Sequence, residues 1–211
     1  MSTLEQQERR PQDFSSVVRG RRSVRYYQDR AVPRHLIEAV LEAARWAPSP
    51  HGRQPWRFVI LTRFDLKERL ADAMGATWRA NLAMDGEPEE VINSRLGNSR
   101  QRLLHAPVLV IPCLYLHGLD RYPDARRQEA ETIMAIQSLG AAVENLMLAA
   151  WSLGLESSWM CAPLFCPEIV CQALDLDPAL TPHALITLGY LGREPKRRDH
   201  RPIDALIARW D

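Results

Sequence analysis

The apolar positions of the chain change period several times along its length, and each change marks an element. From Pro33 to Trp46, Leu36, Ile37, Val40, Leu41 and Ala44 recur at helical spacing, which predicts a helix with one buried face. Pro33 suits its first turn. Pro48 ends it at Ala47, because a proline disfavours helical geometry in the residue before it. Pro48-Ser49-Pro50-His51-Gly52-Arg53-Gln54-Pro55 then reads as a stiff, irregular loop. The runs 56–62 and 107–116 are short, apolar and rich in β-branched residues, so both are predicted as buried strands. Between them a helix is predicted from about Asp65 to Met84. The polar stretch from Asp85 to Arg102, interrupted by Gly86, Pro88 and Gly97, reads as a surface excursion with a short helix or as a mobile cover over a site.

The longest helical pattern runs from Arg127 to Leu153, about 40 Å at the usual rise per residue. Its second half is apolar on nearly every side, so it must be buried on every side. A subunit interface or the central helix of a monomer would satisfy that, and Gly140-Ala141-Ala142 would let a second backbone approach closely. Gly154 suits the helix end. A short strand at 156–161, a turn at 162–165, a helix at 167–174 and a strand at 183–190 follow, then a tail that is basic first and helical later. Helices and strands alternate too irregularly for a doubly wound sheet. The expected class is α+β, a central sheet flanked by helices.

Composition narrows the possibilities without adding a function. A chain of 211 residues, 46% hydrophobic and 25% charged, can bury one substantial core. Its formal charge of +1 removes any global pull toward nucleic acid or a membrane surface. Locally, basic residues gather at 19–25 and 193–201. The four cysteines form no C-x-x-C pair, which points to buried, reduced thiols and not to a metal site. No unbroken apolar run reaches the roughly 18 residues of a membrane span, and the polar start lacks a signal-peptide core. Residues 1–14 read as a flexible start to a single domain over 15–211, and the protein is expected in the cytoplasm.

Familiar catalytic motifs are missing: no G-x-S-x-G, H-E-x-x-H, phosphate-binding Walker loop or G-x-G-x-x-G is present. What stands out is Arg21-Arg22-Ser23-Val24-Arg25. In an extended segment alternate side chains share a face, so Arg21, Ser23 and Arg25 could converge on one anion. The arginine fork matches phosphate or carboxylate oxygens. A solvated basic turn is the plainer alternative. Anion-binding arginines without an acid–base cluster suggest that a bound cofactor carries the chemistry.

Those five residues, with Ala47-Pro48-Ser49 and Gln54-Pro55-Trp56-Arg57-Phe58, resemble the opening of the FMN-dependent nitroreductase family. The likeness continues through Gly140-Ala141-Ala142, Asn145-Leu146, Gly154-Leu155, Trp159-Met160, the Pro163 turn and Ile186-Thr187-Leu188-Gly189-Tyr190. Within the family, Ser49-Pro50-His51-Gly52 and 159–165 look most like the nitroreductase-like domain associated with the γ-glutamyl ligase of the deazaflavin coenzyme (coenzyme F-420). The resemblance implies a homodimer with an FMN at each of two intersubunit sites, and no dedicated catalytic side chain or metal. Arg21, Ser23 and Arg25, with Arg22 adjoining, would hold the FMN phosphate and ribityl chain. Pro48, Ser49, Pro50, His51 and Gly52 would come from the partner subunit. Ala162, Pro163 and Leu164 would lie against the flavin ring and offer it backbone N–H groups. Arg198 with Arg201 would complete the phosphate site. Two departures are visible: many relatives have Asn where Gly52 stands, and His200 occupies another basic position of the tail. Cys161 would sit at the flavin edge, tuning the ring or packing beside it. The implied activity is hydride transfer from NAD(P)H to a nitro, quinone or conjugated acceptor, in its narrowest form a dehydro precursor of the deazaflavin coenzyme. A flavin carrier or sensor without turnover is the alternative. If 85–102 covers the site, Arg95, Arg100 and Arg102 could grip an acidic acceptor.

Overall fold

The structure is a computed structural model that describes residues 13–196 and 199–211. Of the expected flexible start, residues 1–12 lie outside the described residues, whereas Asp13 and Phe14 already cap and open the first helix. Five strands form one sheet: β1 (Trp56–Leu61), β2 (Val108–Tyr115), β3 (Glu156–Met160), β4 (Leu180–Pro182) and β5 (Leu185–Gly189). Their order is β1-β2-β5-β3, with β4 also on β2, and every pair of strands is antiparallel. Helices cover both faces: α1 (Phe14–Gly20), α2 (Arg34–Arg45), α3 (Phe64–Met84), α4 (Glu89–His105), α5 (Ala125–Ser152) and α6 (Pro167–Leu174). The expected α+β class is the observed one.

The central strand β2 is apolar on both faces because a helical layer lies on each. Val108, Val110 and Leu114 join α2 and α5 in one core with Val40, Val143 and Leu146. Leu109, Ile111 and Cys113 join α3, α4 and α6 in the other, with Leu70, Leu103 and Val170. The alternation is the two-residue period of a strand. The three-residue β4 escaped the sequence reading because so short a segment has no period to read.

Two expectations are corrected, and a third stands. From Glu89 on, the polar stretch 85–102 belongs to α4, a regular 17-residue helix packed on α3. Its sparse apolar positions, Ile92 and Leu103, are buried, and Arg100 joins it to Glu68 and Asp72 of α3 at 2.6 and 2.7 Å. Lys67, buried on α3, donates to the Ala106 carbonyl at 2.8 Å just past the end of α4, and burial pulls its pKa down. Among its described residues the tail is helical only in the 3-10 turn Ile203–Leu206, all four residues of which are exposed. Finally, α5 does reach the length and mean hydropathy of a membrane span (1.4), since a windowed average tolerates the charges that interrupt an apolar run. The sheet and α2 cover its second half, so it is the core helix of this fold. Its exposed apolar residues, Ile133, Met134 and Ile136, lie nearer its start.

Candidate functional site

The Arg21–Arg25 segment is placed by α1. The Asp13 carboxylate accepts from the Ser16 N–H at 3.0 Å, an N-cap, and the helix ends where Arg21 N–H donates to Val17 O at 3.1 Å. Gly20 lets α1 sit against α5: a Cβ there would stand 2.1 Å from the Trp151 ring. The chain then becomes extended along β3, with Ser23 bridged to Ser157 and Val24 N–H donating to Ser157 O at 3.0 Å. Further on, Gln28 N–H donates to Tyr190 O and Gly192 N–H to Tyr26 O, at 3.0 and 2.9 Å. Arg193 stacks over Tyr26, 3.7 Å from the ring centroid. The half-buried Tyr27 phenol bonds Thr187 Oγ1 at 2.6 Å, and desolvation pushes its pKa well up. This ladder ties the basic tail to the basic segment near the start.

Between them lies a cavity of about 1620 Å³. Arg19, Arg21, Arg22, Arg25, Arg193 and Lys196 line it against only two carboxylates, Glu144 and Glu194, with Ser23 and His200 alongside. Arg21 Nε is buried without a hydrogen-bond partner, 3.5 Å from Glu144 Oε1. Arg22 is differently used: its Nη1 donates to the carbonyls of Arg19 and, at 2.7 Å, Arg21, so it braces the backbone. An excess of guanidinium groups, one of them an orphaned buried donor, around a large open volume suits a phosphate ester. FMN carries such a phosphate, so the residues present fit it.

The model of the nitroreductase family matches residues 18–190. The chain belongs to the nitroreductase family. A protein of Methanothermobacter thermautotrophicus, provisionally named NADH dehydrogenase/NAD(P)H nitroreductase, is 28% identical over 89% of this chain and 82% of its own length. Among solved structures, a BluB-like flavoprotein from Clostridium difficile 630 superposes with a TM-score of 0.79 at 26% identity, covering 95% of this chain and all (100%) of that one. A provisionally named nitroreductase from Desulfovibrio desulfuricans, solved in complex with FMN, gives 0.70 at 25% identity over 93% of this chain and 96% of its own. Family and relatives mark this protein as an oxidoreductase.

In this nitroreductase the residues singled out from sequence fall into three places. Arg21, Arg22, Ser23 and Arg25 line the cationic cavity; Arg201 is exposed and not among its lining residues, and Arg198 lies outside the described residues. The tail contributes Arg193, Lys196 and His200 instead, and α1 adds Arg19; the basic runs at 19–25 and 193–201 were the available signal.

Pro48 to Gly52 lies apart from that cavity within one chain. Its 3-10 turn, Pro50–Gly52, holds His51 at φ 53° and Gly52 at φ 68°, and Ser49 Oγ accepts from Gln54 N–H at 3.0 Å. Arg53 reaches Asp120 at 2.7 Å and His51 Nε2 stands 3.7 Å from it. Asp120 N–H donates in turn, at 3.4 Å, to the buried Glu131. The loop is therefore anchored to its own α5. Glycine at 52 adopts that φ without the strain that most L side chains would carry there.

The 3-10 turn Ala162–Phe165 follows β3. Pro163 is buried and has no N–H, and the Leu164 N–H is spent on Cys161 O at 3.1 Å. Of the three turn residues, that leaves the N–H of Ala162 able to face a ring. The expectation of buried thiols is corrected at Cys161, which is exposed, and at Cys171, which is half-buried. Burial pushes Cys113 up to about 12 and raises Cys166 and Cys171, so these three are held as thiols. Cys161 and Ala162 also line a second cavity, of about 680 Å³, against α3 and α4. Arg95, Arg100, Arg102 and Cys161, singled out from sequence, line it; its apolar wall was not legible, because it gathers residues of α3, α4, β3, β5 and the turn.

Proposed function

We propose that the protein is an FMN-dependent homodimeric oxidoreductase that moves hydride from NAD(P)H to a nitro, quinone or other conjugated acceptor. The observation that carries this reading is the cationic cavity at Arg21–Arg25, with a buried Arg21 Nε that makes no hydrogen bond. Arg21, Ser23 and Arg25 hold the FMN phosphate, together with Lys196 and His200 of the tail; Arg198 and Arg201 stand as further tail contributors. FMN, when bound, supplies the ring that takes and returns hydride. The chain itself binds and orients: the arginines fix the phosphate, and the Ala162 N–H faces the ring edge beside Pro163 and Leu164. Pro48, Ser49, Pro50, His51 and Gly52 serve the site of the partner subunit. With a nitro acceptor, one NAD(P)H and one proton give NAD(P)+, a nitroso compound and water. Positioning and electrostatics do the work, with no catalytic acid or base.

The Ser49–Gly52 and 159–165 motifs support a narrower acceptor, a dehydro precursor of a deazaflavin coenzyme. Free thiols at all four cysteines support a cytoplasmic setting. The test is spectroscopic. Purified protein should show the visible flavin bands, and anaerobic NADH or NADPH should bleach them. Protein that stays colourless with added FMN would overturn the reading; bound FMN that neither nicotinamide bleaches would make it a carrier or sensor.

A further inference from the structure

The second cavity has walls of two kinds. Met74, Trp78, Leu103, Met160 and Phe165 make an apolar face, and Trp78 and Phe165 remain 38% and 80% exposed. Large aromatic surface left open in a concave site invites a planar ligand. The polar face carries Arg95, Arg100 and Arg102, opposed by Asp85 at the C-terminal end of α3. These arginines differ in how far they are committed. Arg95 pairs with Glu87 at 2.8 Å, and Arg100 with Glu68 and Asp72. Arg102 is exposed and makes no ion pair among the described residues. Its free guanidinium fork has the geometry to take a carboxylate in two parallel hydrogen bonds.

Cys161 and Ala162 close the cavity on the side of the turn assigned above to the flavin edge. A molecule resting on Trp78 and Phe165 therefore lies beside that turn. We propose that this cavity is the acceptor pocket, and that it selects a planar aromatic acceptor bearing a carboxylate, with the ring on the Trp78–Phe165 face and the carboxylate on Arg102. The inference rests on the proposed flavin site. Arg102 acts as a specificity residue and takes no part in hydride transfer. Asp85 sharpens the choice by its position: a second acidic group placed near it would be repelled.

Three nitroaromatics test this with FMN-loaded protein: 4-nitrobenzoate, nitrobenzene and 4-nitrobenzylamine. The KM for 4-nitrobenzoate should lie about tenfold or more below the other two, the scale of one charge-assisted hydrogen-bond pair. Arg102→Ala should collapse that ratio toward one, and Arg126→Ala on α5, across the sheet, should keep it. Independently, calorimetric titration of the oxidised protein with benzoate should show binding that Arg102→Ala and Trp78→Ala each weaken about tenfold. Equal KM values, a preference for the amine, or benzoate binding untouched by Arg102→Ala would each overturn the proposal. If NAD(P)H bleaches the flavin and nitrobenzene turns over without any carboxylate preference, the pocket assignment alone fails. If no flavin binds, the acceptor role falls with the functional reading, and the titration still decides whether Arg102 takes carboxylates.

Discussion

Arg21 and Arg25 sit four residues apart on an extended segment, yet their surroundings separate them from the rest of the arginines of the chain. Many arginines here face carboxylates at the surface, as Arg63 does Asp65 and Arg34 does Glu38, and exposed pairs of that kind contribute little. Arg21 also faces a carboxylate, Glu144, but at 3.5 Å its buried Nε makes no hydrogen bond, and among the described residues its cavity holds six cationic side chains to two carboxylates. Like charges crowd there, and an entering phosphate would relieve their repulsion. Replacing both residues, Arg21→Ala with Arg25→Ala, should weaken FMN binding on the order of a hundredfold, from two charge-assisted contacts. Fluorescence titration of FMN measures it; unchanged affinity would mean that the phosphate lies elsewhere. The arginine motif itself was legible in sequence. Which of the tail residues joins it was not, because Arg193, Lys196 and His200 reach the cavity only through the Tyr26–Gly192 ladder.

At the scale of elements, α1 and α5 fix where that motif can be. Gly20 is the contact point, and a methyl group there would drive into the Trp151 ring. Gly20→Ala should therefore cost about 1–3 kcal/mol of stability as overpacking, read by denaturant unfolding, and should also lower FMN affinity by shifting Arg21. A variant as stable as the parent would show that α1 can move away freely. The helical stripe of α2 and the two long strands were readable because their periods are strong. The α3–α4 pair was only half readable. Gly86, Pro88 and Gly97 look like loop residues, yet Gly86 turns the chain at φ 77° while Pro88 caps α4 and Gly97 lies within it. What makes α4 a helix is the buried side of α3 beneath Ile92 and Leu103, a tertiary cause that local propensity does not contain.

For the whole molecule, the exposed apolar residues of α5 bear on assembly. Ile133, Met134 and Ile136 are 46%, 39% and 39% exposed, a cost in water that a second subunit would remove. A dimer formed there should dissociate when Ile133→Glu and Ile136→Glu place charges in the contact. Analytical ultracentrifugation should then read a dimer for the parent and a monomer for the variant, with flavin loss on dissociation if the Pro48–Gly52 loop completes the partner's site. A dimer that survives both substitutions would place the interface on another surface. The sequence by itself determined the class of the fold, the long core helix and the arginine motif that lines the cationic cavity, because hydrophobic period and residue chemistry are local. Only the tertiary structure decided which distant residues share a cavity. Arg19 with Lys196, and Trp78 with Arg102 and Cys161, meet because the packing of the layers, and not their spacing along the chain, brings them together.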